Sequence, residues 1–254
     1  SMVDGLPSEE VNVLFEDSSG FIWAGTGDGL ARLEGTRVRV FHHDHYDSTS
    51  LAHDQVNGIA QDAAGGLWFA TMDGLAQFDA VSGRFTNWRI RAVGNDARLA
   101  NRMHQVVPVA DSLLWVVTEA GLYRYRIREG SFQHMQGAPP GKGPGGMVIN
   151  SSALCWDARR ATLWVGTLQG LASWNARTDA WTDHRTAREQ PWANTQPTDA
   201  PLIHGDSLWF LRHKPYVLVA YDLRGRVLRE QPDVEDVPNR FGLRCQAIDP
   251  DGTH

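Results

Sequence analysis

Val11-Asn12-Val13-Leu14-Phe15-Glu16-Asp17, a Ser18-Ser19-Gly20 turn, Phe21-Ile22-Trp23-Ala24-Gly25-Thr26 and Gly27-Asp28-Gly29-Leu30-Ala31-Arg32-Leu33 make up a stretch that recurs along the chain. Shifted by 45 positions it reads Val56-Asn57-Gly58-Ile59-Ala60-Gln61-Asp62, Gly65, Trp68-Phe69-Ala70-Thr71 and Gly74-Leu75-Ala76-Gln77-Phe78, so that Asp17, Gly20, Trp23, Thr26, Gly29 and Leu30 all keep their partners. Looser copies follow, Leu114-Trp115-Val116-Val117-Thr118 with Gly121-Leu122-Tyr123-Arg124-Tyr125, and Leu163-Trp164-Val165-Gly166-Thr167 with Gly170-Leu171-Ala172-Ser173-Trp174. A fifth keeps Leu208-Trp209-Phe210-Leu211 and little else. Trp23, Trp68, Trp115, Trp164 and Trp209 stand 45, 47, 49 and 45 residues apart. A period in this range, with several short strands per unit, predicts the blades of a β-propeller.

Within the first unit, Val11 to Phe15 reads as a strand apolar on both faces, as a sheet sandwiched between two neighbours requires. Asp17 to Gly20 turns the chain, because Asp bonds its own downstream backbone and Gly accepts positive φ. Phe21 to Thr26 returns as a second strand, Gly27-Asp28-Gly29 makes a tight hairpin, and Leu30 to Leu33 and Arg37 to Phe41 complete the unit. The expected fold is all-β with little helix: four-stranded antiparallel blades near 8–43, 54–90, 102–136, 151–183 and 199–230, and the opening of a sixth at 240–254. A tryptophan buries about 150–250 Å², so the five are read as packing between blades rather than as platforms for a sugar.

With 254 residues, 42% of them hydrophobic, the chain can bury a sizeable core, and the repeat makes it one array. Thirty acidic against 24 basic residues leave a net charge of −6 with no basic run, so nothing prepares the chain to neutralise nucleic-acid phosphates. No apolar run nears the roughly 18 residues of a membrane span, and no signal peptide opens the sequence. Ser1-Met2 reads as an expression remnant, which leaves an export signal or anchor to other segments of a parent protein. Cys155 and Cys245 sit in apolar contexts a whole blade apart and are read as small buried hydrophobes rather than a disulfide.

Alternating strand direction sorts the turns onto two faces. One collects the short turns at 17–20, 34–36, 80–83 and 177–179. The other collects the second-to-third hairpins and the long crossings near 43–54, 91–101, 137–151, 184–199 and 230–239, and insertions on one face mark the binding face of a repeat array. The candidate ligand-binding residues are therefore those at the hairpins and at the starts of the innermost strands: Asn12, Asp28, Asn57, Asp73, Arg102, His104, Glu119, Asn150, Gln169 and Arg240. Their ligand is expected to be a small molecule or an oligosaccharide.

Catalysis would need a base, an acid and often a metal converging on a central opening. Arg102, His104, Glu119 and Asp73 are the residues placed for it, but no G-x-S-x-G elbow or H-E-x-x-H motif supports them. His42-His43-Asp44-His45 has metal-ligand chemistry. On a strand, however, only His43 and His45 would share a side, so neither a metal site nor a cofactor is expected. The run Pro139 to Gly146 lacks the Walker spacing and is no phosphate loop.

The Asp-x-x-Gly turn, the hydrophobic-Trp-x-Gly-Thr strand and the following Gly-Leu resemble the two-component-regulator propeller repeat. Asp17, Gly20, Trp23, Gly25, Thr26, Gly29 and Leu30 carry the resemblance in the first unit, and Asp62, Gly65, Trp68, Thr71, Gly74 and Leu75 in the second. Units three to five depart progressively, with Val117 in place of Gly in the third. The resemblance implies a non-catalytic, extracytoplasmic or periplasmic sensing module of a bacterial membrane receptor, with a histidine kinase or diguanylate cyclase as output and glycan fragments as frequent ligands. A propeller hydrolase or lyase and a protein-interaction scaffold stand as alternatives. The spacing accounts for about 5.5 units, and Ala247 to His254 aligns with the opening of another. The expectation is a fragment of a larger propeller, seven-bladed by resemblance, which alone forms an open arc or self-associates through exposed blade ends.

Overall fold

The computed structural model describes residues 5–91, 96–109, 112–135, 149–167, 170–184, 202–212, 217–223 and 226–231. Blade one is β1 (Val11–Glu16), β2 (Ile22–Thr26), β3 (Gly29–Glu34) and β4 (Arg37–Phe41). Blade two is β5 (Val56–Gln61), β6 (Leu67–Thr71), β7 (Gly74–Asp79) and β8 (Arg84–Trp88). A helix, α1 (Asp96–Asn101), leads to blade three, β9 (Met103–Val109), β10 (Leu113–Thr118), β11 (Gly121–Arg126) and β12 (Ser131–His134). Blade four is β13 (Ile149–Asp157), β14 (Thr162–Thr167), β15 (Gly170–Asn175) and β16 (Ala180–Asp183); blade five is β17 (Leu202–His204), β18 (Ser207–Arg212), β19 (Val217–Asp222) and β20 (Arg226–Gln231). Each blade is an antiparallel meander in which neighbours in sequence are neighbours in the sheet. The chain is a β-propeller, and in blade one the strand ends fall within one residue of those read from the repeat. The stretch 240–254 lies outside the described residues.

The described residues divide into two compact units, blades one to three and blades four and five. In the first, Trp23 and Trp68 are fully buried between blades. Trp23 lies 5.4 Å from Phe69 and 5.2 Å from Phe78 of blade two, ring centre to ring centre, while Trp68 lies 5.6 Å from Tyr125 of blade three. Offset and edge-on rings at these distances add to simple area burial.

The repeat's Asp explains why its tryptophan can be buried at all. An indole N–H taken from water must find an acceptor. Asp17 Oδ2 accepts Trp23 Nε1–H at 2.7 Å, and its Oδ1 accepts the amides of Ser19 and Phe21 in the turn. Asp62 repeats this with Trp68 Nε1 at 2.7 Å and the amides of Ala64 and Gly66. One carboxylate thus closes a turn and anchors the core ring six residues later. The glycine of Trp-x-Gly has a separate cause: a Cβ on Gly25 would stand 2.7 Å from Val13 Cγ1 and 2.9 Å from Val56 Cγ1.

Blade one departs from the sandwiched sheet expected of it. Along β1, Val11 and Leu14 are 39% and 54% exposed, whereas all of β5 but its last residue is buried. The core shared by blades one and two takes in Val13 and Trp23 from one side of blade one, and blade two is packed on both sides, by blade one and blade three. The helix is also new relative to the sequence reading, which had only a crossing at 91–101. It is locked by Asn101, whose side chain accepts from Ile90 N at 2.7 Å and donates to Ile90 O and Ala97 O.

In the second unit Trp164 packs with Leu171 and Leu208. Its blade carries the turn Asp one place earlier, as Asp157, and that buried carboxylate binds the backbone and guanidinium of Arg160 instead. The Trp164 indole nitrogen has no hydrogen-bond partner among the described residues. Cys155 packs against the same cluster, where burial pushes its thiol up to about 12. It stays a protonated, inert side chain at neutral pH; Cys245 lies outside the described residues.

Candidate functional site

The second-to-third hairpins of the first unit are built without help from their tip side chains. Thr26 Oγ1 donates to Gly29 O at 2.8 Å and accepts Asp28 N–H at 3.1 Å. Thr71 does the same for Gly74 and Asp73, and Thr118 for Gly121 and Ala120. Gly29, Gly74 and Gly121 take φ of 135°, 122° and 116°, a region that L-residues avoid, which accounts for the recurring Gly-Leu. Each tip then bonds the residue ahead of its blade's innermost strand: Gly27 N to Glu10 O, Met72 N to Gln55 O, and Glu119 N to Arg102 O. Hairpin tips and innermost-strand starts therefore share one face, and the 43–54 crossing joins it through Gly29 N to Asp54 O at 2.8 Å.

Two of the residues read as ligand contacts are joints between blades. Asn12 Nδ2 donates to Val56 O at 3.1 Å, and Asn57 Nδ2 donates to Met103 O at 2.9 Å, each reaching the first residue of the next blade's innermost strand. Asn57 is 7% exposed, and its Oδ1 accepts from Gln55 Nε2. These donors are committed to the fold. Asn57→Ala is expected to lower stability by about 1–3 kcal/mol, since Met103 O loses its buried donor; a urea melt of the variant beside the parent checks it.

Arg102, His104 and Glu119 do come together. Arg102 Nη1 lies 3.0 Å from Glu119 Oε2, and His104 Nε2 lies 3.8 Å from Glu119 Oε1. Asp73 pairs instead with Arg89, at 2.7 Å, on its own blade. Asp28 is exposed at its hairpin tip. Asn150 lies within β13, and Gln169 and Arg240 lie outside the described residues.

The sequence reading missed the ground between the first crossing and the end of β8. There an open polar cleft of about 480 Å³ is lined by His43, Asp44, His45, Asp47, Asn87 and Arg89 among others. The crossing is a built loop. Asp44 Oδ1 accepts Tyr46 N, Asp47 Oδ1 accepts Thr49 N and Oγ1, and Asp44 N donates to Ser50 Oγ. Asn87 Nδ2 donates to Ser48 O and Ser50 O, stapling the loop to β8. The only signal for this cleft in the sequence was the histidine run, which does not lie on a strand because β4 stops at Phe41.

No curated protein matches the chain. Residues 5–28 and 50–73 match the family described as two-component regulator propeller, and each match holds one Asp-Trp clasp. The first two strands of blades one and two are similar to two-component regulator propeller repeats. The chain's fold recurs in the extracellular domain of a hybrid two-component system from B. thetaiotaomicron, 18% identical over 92% of this chain and 36% of that one, with a TM-score of 0.56. It recurs in the extracellular domain of a one-component system from the same organism, 22% identical over 88% of this chain and 31% of that one, TM-score 0.65. A calcium-binding protein, regucalcin, from Agrobacterium tumefaciens is 15% identical over 89% of this chain and 75% of that one, TM-score 0.55. The chain spans about a third of the two signalling domains. Among the described residues no helix is long and apolar enough to cross a membrane.

Proposed function

We propose that this propeller is the non-catalytic, ligand-sensing part of a bacterial signalling receptor. It works outside the cytoplasm and reports occupancy of its hairpin face to a histidine kinase or diguanylate cyclase elsewhere in the parent protein. The observation that carries the reading is the pair of regulator propeller repeats in blades one and two. The hairpin face is a suitable receptor surface, because its backbone is held by Thr and Gly while charged side chains stand above it. Several of these neutralise one another, Arg102 with Glu119 and Asp73 with Arg89. Such pairs offer donors and acceptors without net charge, which suits a neutral polyhydroxylated ligand such as an oligosaccharide better than an ion.

A thermal-shift screen against oligosaccharides and small polar metabolites tests this. A true ligand at 100 times its Kd adds about 2.7 kcal/mol to the native state and raises Tm by roughly 5–10 °C. Glu119→Ala should abolish that rise while leaving the unliganded Tm within about 4 °C, because a partly exposed ion pair contributes only about 0–1 kcal/mol. Turnover of a ligand that binds this face, or a shift unaffected by Glu119→Ala, would count against the proposal.

A further inference from the structure

We infer that His43 and His45, on the first crossing, form a two-histidine binding site for a divalent transition cation, with zinc as the fitting ion. His43 Nε2 stands 3.3 Å from His45 Nδ1. Two nitrogens each about 2.05 Å from one tetrahedral zinc stand about 3.3 Å apart. The pair already has the spacing of two ligands on one ion.

The tautomer of His43 agrees. Its Nδ1 lies 2.7 Å from Leu51 O, a carbonyl that only accepts, so Nδ1 carries the proton and Nε2 accepts from His45 Nδ1–H in the metal-free protein. An ion between the two replaces that proton, the neutral His45 ring then carrying its proton on Nε2. A ring N–H given to a backbone carbonyl is the usual outer support of a metal-bound imidazole. The same residue's amide donates to Asp54 Oδ1 at 2.7 Å, so backbone and ring are both held in place. The loop does not need an ion to form, since Asp44, Asp47, Ser50 and Asn87 tie it internally and to β8. Asp44 and Asp47 contribute negative charge at the cleft wall, while their Oδ1 atoms stay with backbone amides.

Among the described residues no group of three or more His, Cys, Asp or Glu gathers to hold a metal. The ion would therefore keep open positions, filled by water or by an oxygen donor entering the cleft. That makes the site exchangeable rather than structural, and imidazole as the sole protein donor selects zinc, copper or nickel over calcium or magnesium. The inference stands apart from the sensing role of the hairpin face.

Titrating the 254-residue protein with Zn²⁺, followed by calorimetry and by histidine ring NMR, tests it. One equivalent should bind and move the His43 and His45 ring signals together, with His42 and His53 unmoved and no response to Ca²⁺ or Mg²⁺. His45→Ala is the decisive variant, because His43→Ala also releases Leu51 O and can loosen the loop. His45→Ala should weaken Zn²⁺ binding by at least about tenfold with an unchanged urea midpoint, and His42→Ala should bind like the parent. Zinc binding that survives His45→Ala, saturation without a change in both rings, or no binding up to millimolar Zn²⁺ overturns the assignment.

Discussion

Trp68→Ala is expected to destabilise the protein by about 3–5 kcal/mol, read as a fall in the urea midpoint at constant m-value. The ring is fully buried, with Trp88 at 5.3 Å on its own blade and Tyr125 at 5.6 Å on the next. Truncation would open a cavity in the middle of the core joining blades two and three. It would also remove one of the three donors that balance the Asp62 carboxylate. Stabilities of single domains are about 5–15 kcal/mol, so this one change takes a fifth or more of the total. A loss under about 1 kcal/mol would show that the blades do not depend on the ring, and the packing account would fail.

Asp62→Ala comes next, at about 2–4 kcal/mol. Three N–H groups, on Ala64, Gly66 and the Trp68 indole, lose a charged acceptor at 2.7–2.9 Å, and the indole cannot reach water instead. Asp62→Asn should be nearly as damaging. An amide whose oxygen serves the turn must aim its NH₂ at the indole N–H, donor against donor. The clasp further predicts coupling: in a double-mutant cycle Asp62→Ala and Trp68→Phe should be non-additive by about 1–2 kcal/mol, because either change alone already removes their shared bond. Additive losses would mean that the 2.7 Å contact contributes nothing.

How much could be read from the chain depended on whether a residue's task was local. The Asp-x-x-Gly turn, the buried tryptophan and the Gly-Leu hairpin act within about fifteen residues, so their spacing carried the fold and the strand limits. The structural task of Asn12 and Asn57 was not legible because their partners are 44 and 46 residues away. A polar residue opening an innermost strand looks the same whether it faces solvent or the neighbouring blade. Arg89 was overlooked for a similar reason, its partner Asp73 being 16 residues distant across two strands. The helix Asp96–Asn101 spans less than two turns, too short for a 3.6-residue period to register. The crossing that holds His43 and His45 was legible as composition and not as geometry. Their approach depends on a loop folded by Asp44, Asp47 and Ser50.

The threonine hydroxyl under each hairpin of blades one to three separates what holds the tip from what the tip displays. Because Thr26, Thr71 and Thr118 satisfy the turn from below, the tip residues Asp28, Asp73 and Ala120, with Glu119 one place earlier in blade three, can be exchanged without re-forming the strands that carry them. Successive blades thus present a row of interchangeable positions on a constant frame, much as a keyboard fixes its keys and leaves their lettering open. A propeller built this way can change what its tips display by drift at those positions alone, with the blades beneath unaltered.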